Sequence, residues 1–396
     1  MTIPSLSQSN LFKPLQVGNV TLNQRIAHLP TTRFRASSEH IPTDLLLKYY
    51  TDRSITPGTL LITEATLASE KVGLYANVPG IWNEQQAQAW KKVNDSIHEA
   101  GSFVSLQLWA LGRAGNPKLL KEKGLDFVAP SPIYHTPESQ TQAEEVGNPI
   151  REITLDEIHD LIYNQYPNAI KNAIAAGFDI IEFHSANGYL LEQFIDPSSN
   201  HRTDKYGGSI ENRTRIVLEI IDNLIEQGID AKKLAIRLSP FRNVRGHLGE
   251  KESVHPIATY GYLVSELQQR ANKGHALSYI SVIENAAEYG IATTDFISQI
   301  WKGPIVRAAA YSLANDFSQL VKDVDVDDRT IIGFGRYFIS NPDLVDRLKH
   351  GYELTPFEAP NFYTNSNLGY NTYPFYNKTL EYDEETEKAH SGKPLA

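Results

Sequence analysis

The 396-residue chain has no cysteine and only one methionine. Without thiols there are no disulfides, thiolate metal sites, iron–sulfur ligands or cysteine nucleophiles, so any redox chemistry requires a bound cofactor. Positive charge is also short: 37 Lys and Arg stand against 47 Asp and Glu, a net charge of −10. That balance argues against a broad basic face for nucleic acid or anionic lipid, and an anionic ligand has to meet a local basic site. No run of about 18 apolar residues is present, and Met1–Leu11 lacks the apolar stretch of a secretory signal. The expectation is a cytoplasmic protein with neither a nucleic-acid nor a membrane partner, as a monomer or a homodimer.

What is present is material for a large core, with 41% hydrophobic and 10% aromatic residues. Short apolar runs alternate with longer segments of helical period. The expected strands are Arg25–Leu29, Leu60–Glu64, Phe103–Leu108, Asp179–His184, Leu234–Ser239, Tyr279–Val282, Ile305–Arg307 and Thr330–Gly333. Near-continuous apolar strands suit a parallel sheet buried on both faces. Helix starts are marked by the capping box Thr154-Leu-Asp-Glu157, by Ser209 and by Asn341-Pro342, while Pro167 should kink its helix. The pattern predicts an α/β fold, a single (β/α)8 TIM barrel over 1–396 with long loops capping the C-terminal face. An open doubly wound sheet is the alternative. Two excursions, 110–153 after strand three and 283–294 after strand six, are lid candidates, and the tail 385–396 is expected to fray.

The densest chemistry is His184-Ser-Ala-Asn187-Gly-Tyr189, at the end of strand four. If a helical turn follows the strand, His184 and Asn187 aim at one point as neutral donors, which suits a developing oxyanion. Tyr189 adds a phenolic proton nearby. His28 and His201 read as structural. Ala27-His28-Leu29 offers only one imidazole where a barrel metallohydrolase needs two, so no metal is expected.

These residues belong to a longer set. Leu11-Phe-Lys-Pro-Leu15, Pro30-Thr-Thr-Arg33, Gln107-Leu-Trp109, the block from His184 to Arg213, Arg237-Leu-Ser-Pro240 and Gly333-Phe-Gly-Arg336 to Leu344 occur in an order and spacing that resembles the Old Yellow Enzyme family of FMN-dependent ene-reductases, its yeast branch in particular. The resemblance covers nearly the whole chain. It implies non-covalent FMN bound by Thr32, Ala65, Gln107, Arg237, Ala309, Gly335 and Arg336. Thr32 would tune the flavin, Gln107 would meet its pyrimidine edge, and Arg237 would stabilise the charge of the reduced form. Read without the family, Arg237 could instead pair with a carboxylate such as Glu64. Gly335 and Arg336 fit the phosphate end, whereas Ala65 and Ala309 stand where the family commonly has glycine. Trp109, Tyr75 and Tyr370 would wall the substrate pocket, and Gly207-Gly208-Ser209 is architectural.

The activity implied is NADPH dehydrogenase and ene-reductase. NADPH would reduce FMN, and an alkene conjugated to a carbonyl or nitro group would then be reduced, with its oxygen on His184 and Asn187 and Tyr189 supplying the proton. Phenolic ligands would occupy the same site. No G-x-G-x-x-G follows a strand, so a separate nicotinamide domain is not expected. Two alternatives stay open: a flavin-binding barrel with a redox-sensing or regulatory role, and a phosphate-binding barrel isomerase without flavin.

Overall fold

A computed structural model describes residues 3–284, 293–308 and 317–396. Eight parallel strands form its centre: β1 (Ile26–His28), β2 (Leu60–Ile62), β3 (Phe103–Trp109), β4 (Ile180–Ser185), β5 (Leu234–Leu238), β6 (Ile280–Ile283), β7 (Ile305–Ala308) and β8 (Thr330–Phe334). Each pairs with the next, and Ile332 opposite Ile26 brings β8 back to β1, so the sheet closes. The barrel reading therefore holds, and the open sheet does not. All residues of β1, β2, β4, β5, β6 and β8 are buried, as strands between a packed interior and a helical shell must be.

The outer helices begin where the local chemistry directs. Thr154 and Glu157 form the reciprocal capping box, and Ser209 accepts from Asn212 N to start the helix Ile210–Glu226. Before Pro167 the helix widens into a π-helical turn over Leu161–Gln165, then continues as Tyr166–Ala175. The missing proline N–H is absorbed by that wider turn rather than by a break. At Asn341-Pro342 the expectation fails, because the next helix, Leu344–His350, starts after Asp343. Asn341 is instead spent on Thr355, accepting from its N–H at 2.8 Å and donating to its carbonyl at 3.1 Å.

The excursion 110–153 is a packed unit carrying the helices Pro117–Glu122 and Pro137–Glu145 and a strand pair, Val128–Ala129 with Arg151–Glu152. Leu111, Leu120, Phe127, Ala143 and Ile150 form its apolar centre. The tail 385–396 is not frayed: Leu395 N donates to Pro42 O at 3.0 Å, Lys393 N to Asp44 Oδ1 at 2.8 Å, and the Leu395 side chain packs on the main core. Most of the loop 283–294 lies outside the described residues. Among the described residues no helix is long and apolar enough to cross a membrane.

His28, on β1, is fully buried, its Nδ1 3.3 Å from the Ile62 carbonyl and its Nε2 3.1 Å from the Tyr49 hydroxyl. Burial, with Arg53 beside it, pushes its pKa from 6.5 down to about 3. The native imidazole stays neutral while the unfolded chain takes up a proton, so this stability is present above the ordinary pKa. It is lost as pH falls toward the native value, at about 1.4 kcal/mol per pH unit. Melting temperature should therefore drop as pH is lowered from neutral to about 5. A His28→Asn chain, which cannot titrate there, should show a flatter slope whatever its starting stability. Parallel slopes for the two chains would assign the acid sensitivity to other groups.

Candidate active site

Parallel strands deliver their C-terminal ends to one mouth, and the polar residues inside follow the two-residue strand period. Gln107 lies beside Glu182, and Arg237 beside His184. Gln107 Nε2 donates to Glu182 Oε1 at 2.6 Å. Burial raises the Glu182 carboxyl above its ordinary range against the pull of Arg237 and Gln107. Burial, with Arg237 and Arg245 nearby, holds His184 well below its ordinary pKa, so its imidazole is neutral. Glu182 Oε2, His184 Nδ1 and Arg237 Nε are buried without a hydrogen-bond partner, which is costly unless a ligand meets them.

Glu64 is not the partner of Arg237. Its Oε2 accepts from Arg33 N at 3.4 Å, and burial raises its pKa to about 7 against the neighbouring Arg33 and Arg35. The acid facing Arg237 is Glu182, which sequence reasoning missed. The signal was there: Glu182 precedes His184 by two residues on an otherwise apolar strand, so both point the same way.

The chain leaving β4 does not make a helical turn. Asn187 and Gly188 both take positive φ, 56° and 75°, and Tyr189 N donates to Ala186 O at 3.3 Å, the arrangement an Asn-Gly pair favours in a tight turn. Behind it, buried Glu192 accepts from Gly188 N at 2.5 Å, Ser239 Oγ at 2.6 Å and Tyr260 OH at 2.7 Å, while Asn187 N donates to Ser239 Oγ at 2.8 Å. Gly188 is obligatory, since a Cβ there would stand 2.7 Å from the Arg245 Cβ.

Above these residues opens a cavity of about 540 Å³, lined by Thr32, Tyr75, Trp109, Tyr189, Gly335 and Arg336 of the expected set. Tyr189 meets Trp109 and His184 edge to face, each at 4.8 Å between ring centroids, and Tyr75 meets Trp109 at 5.7 Å. Gln107, Ala65, His184 and Arg237 are buried below the lining, and Asn187 is half-buried. Ala309 lies outside the described residues.

Tyr370 does not wall the cavity. It is fully buried, stacked on Tyr49 at 4.4 Å, with the Arg33 and Arg35 guanidinium groups 4.9 and 4.8 Å from its ring. Those arginines bind the carbonyls of 361–369, with Arg33 donating to Phe362 O and Gly369 O. The Tyr370 ring is therefore sandwiched into the anchor of the C-terminal segment, and Phe362 and Tyr363 reach the cavity instead. The excursion 110–153 contributes nothing to the lining but braces its rim, as Arg113 donates to Arg245 O at 2.8 Å.

Residues 10–355 match the model of the NADH:flavin oxidoreductase / NADH oxidase family. A probable NADPH dehydrogenase of Candida albicans is 48% identical, covering 100% of this chain and 95% of that protein. Enoate reductase 1 of Kluyveromyces lactis is 39% identical, covering 95% of this chain and 96% of its own. The crystal structure of Old Yellow Enzyme from Pichia sp. AKU4542 superposes with a TM-score of 0.94 at 47% identity, over 99% of this chain and 100% of that one. The chain belongs to the Old Yellow Enzyme family. It is an FMN-dependent NADPH oxidoreductase of the ene-reductase kind. Membership sets aside the flavin-free isomerase.

The residues present fit FMN. The cavity lining carries Arg33, Arg245 and Arg336 and no carboxylate, in a chain of net charge −10. The buried, unpartnered Arg237 Nε lies beneath it.

Proposed function

We propose that the enzyme reduces alkenes conjugated to a carbonyl or nitro group, with Thr32, Ala65, Gln107, Arg237, Gly335 and Arg336 holding the flavin. The observation that carries this reading is the corner where the Tyr189 ring meets neutral His184 at 4.8 Å on the cavity wall. A proton donor and a neutral hydrogen-bond donor there serve the two ends of a polarised alkene. The chemistry supplied by bound FMN is hydride acceptance from NADPH and hydride delivery to the β-carbon. The chain's own groups do the rest. His184 and Asn187 donate to the substrate oxygen and so stabilise negative charge developing on it. Burial, opposed by Arg245, pushes the Tyr189 phenol up to about 12, so it holds its proton until the α-carbon takes it. Trp109 and Tyr75 wall the substrate, and Arg336, exposed at the mouth, takes the phosphate.

Each role has its own readout. Arg336→Ala should weaken FMN retention by about 1.5–3 kcal/mol, measured by the FMN dissociation constant, and unchanged affinity would move the phosphate elsewhere. Removing both His184 and Asn187 donors as alanines should weaken phenol binding, followed by the long-wavelength charge-transfer band, far more than FMN binding. Normal phenol binding in that double variant would end the oxyanion assignment. Tyr189→Phe should leave flavin reduction by NADPH nearly unaltered and slow enone reduction by about 10²–10⁴. Quinones, which need no proton on carbon, should lose little. Rapid mixing of the separate half-reactions decides this, since equal losses for enone and quinone would mean a disturbed pocket rather than a lost acid.

A further inference from the structure

Resting on that reading, we infer that Arg245 is a specificity-determining residue that selects activated alkenes carrying a carboxylate away from the reacting bond. Three guanidinium groups line the cavity, and they are not equivalent. Arg33 is committed to the carbonyls of Phe362 and Gly369. Arg336 stands at the Gly335 side, where the phosphate is proposed. Arg245 lies at the other end, its guanidinium carbon 4.5 Å from the centre of the Tyr189 ring, beside the Tyr75 phenol. One of its nitrogens donates to Asn187 O at 3.0 Å. Among the described residues no carboxylate lies within ion-pair distance of Arg245, whereas most other half-buried arginines of the chain have one.

The backbone marks the same residue. Arg245 takes a φ of 51°, in the left-handed region that a long side chain seldom occupies. It is held there by the Arg113 bond to its carbonyl and by the close approach of Gly188. Strain of this kind persists where the surroundings over-determine it, and it accumulates at ligand clamps. Here it keeps a permanent cation at the wall shared with the proposed proton donor. A planar fork with spare donors suits a carboxylate, with which it forms paired charge-assisted hydrogen bonds. Arg245 itself lines the cavity of about 540 Å³, so a substrate longer than a simple enone has room to reach it.

The test compares an enone whose chain ends in a carboxylate two methylenes beyond the double bond with the methyl ester of the same acid, using the FMN holoenzyme. The wild type should favour the acid in kcat/KM. Arg245→Gln should reduce that acid-to-ester ratio by about tenfold or more, mainly through KM, and Arg245→Lys should restore part of it. A ratio indifferent to Arg245 overturns the inference while leaving alkene reduction intact. The nicotinamide's phosphates are a second source of anion, so flavin reduction by NADPH is followed in the same variants. A loss confined to that half-reaction assigns the cation to the reductant and overturns the substrate assignment. Binding gives a readout independent of turnover, through perturbation of the flavin spectrum by para-hydroxybenzoate and by its methyl ester. If neither alkene is reduced yet the acid binds more tightly only with Arg245 or Lys present, alkene reduction fails and the carboxylate site stands. Equal binding of the two overturns the site.

Discussion

Parallel strands buried on both faces leave every backbone N–H and C=O dependent on a neighbouring strand, and a parallel sheet has two edges at which that dependence fails. Pairing of β8 with β1 and of β2 with β3 removes both edges. Closure also fixes where chemistry is possible. All eight strands run the same way, so their C-terminal ends open at one mouth, and residues from β3, β4, β5 and β8, far apart in sequence, meet within one interior.

That interior is unusual in being polar. Glu182, His184 and Arg237 lie in it at 0%, 4% and 8% exposure, too little for water to solvate them. Burial of this kind is unfavourable unless the groups satisfy one another or a ligand. Gln107 satisfies one oxygen of Glu182 and Arg237 lies near it, yet donors and acceptors remain unmatched. A barrel kept only for stability would have filled these positions with branched aliphatics. The unmatched groups are consistent with a flavin, whose heteroatoms supply both donors and acceptors.

A second buried carboxylate does different work. Glu192 is not part of the cavity lining; it lies 3.9 Å from His247 Nδ1 and collects the N–H of Gly188 and the hydroxyls of Ser239 and Tyr260. An Asn-Gly turn is flexible by itself. Tied to Glu192 and Ser239, closed by the Arg245 bond to Asn187 O and packed against the Arg245 Cβ, it becomes a fixed corner from which Tyr189 projects. The aromatic contacts of Tyr189 with Trp109 and His184 then set its ring.

The eight strands, the barrel and the family were legible in the sequence, because strand period and apolar runs are local properties and motif order is specific to the family. Gln107, His184 and Arg237 were legible as inward polar residues on apolar strands, and Tyr189 as the phenol beside a strand-end histidine. The partnerships between distant segments were not legible there, because they depend on how the chain packs. Glu182 rather than Glu64 faces Arg237, because strand register and not sequence separation sets neighbours. Tyr370 went to the anchor of the C-terminal segment, because two buried arginines needed that segment's carbonyls and a ring to lie against. Arg245, in a loop of no regular period, carries no local sign of lining the cavity. Its place depends on the Gly188-Tyr189 turn and Arg113 arriving from two other parts of the chain.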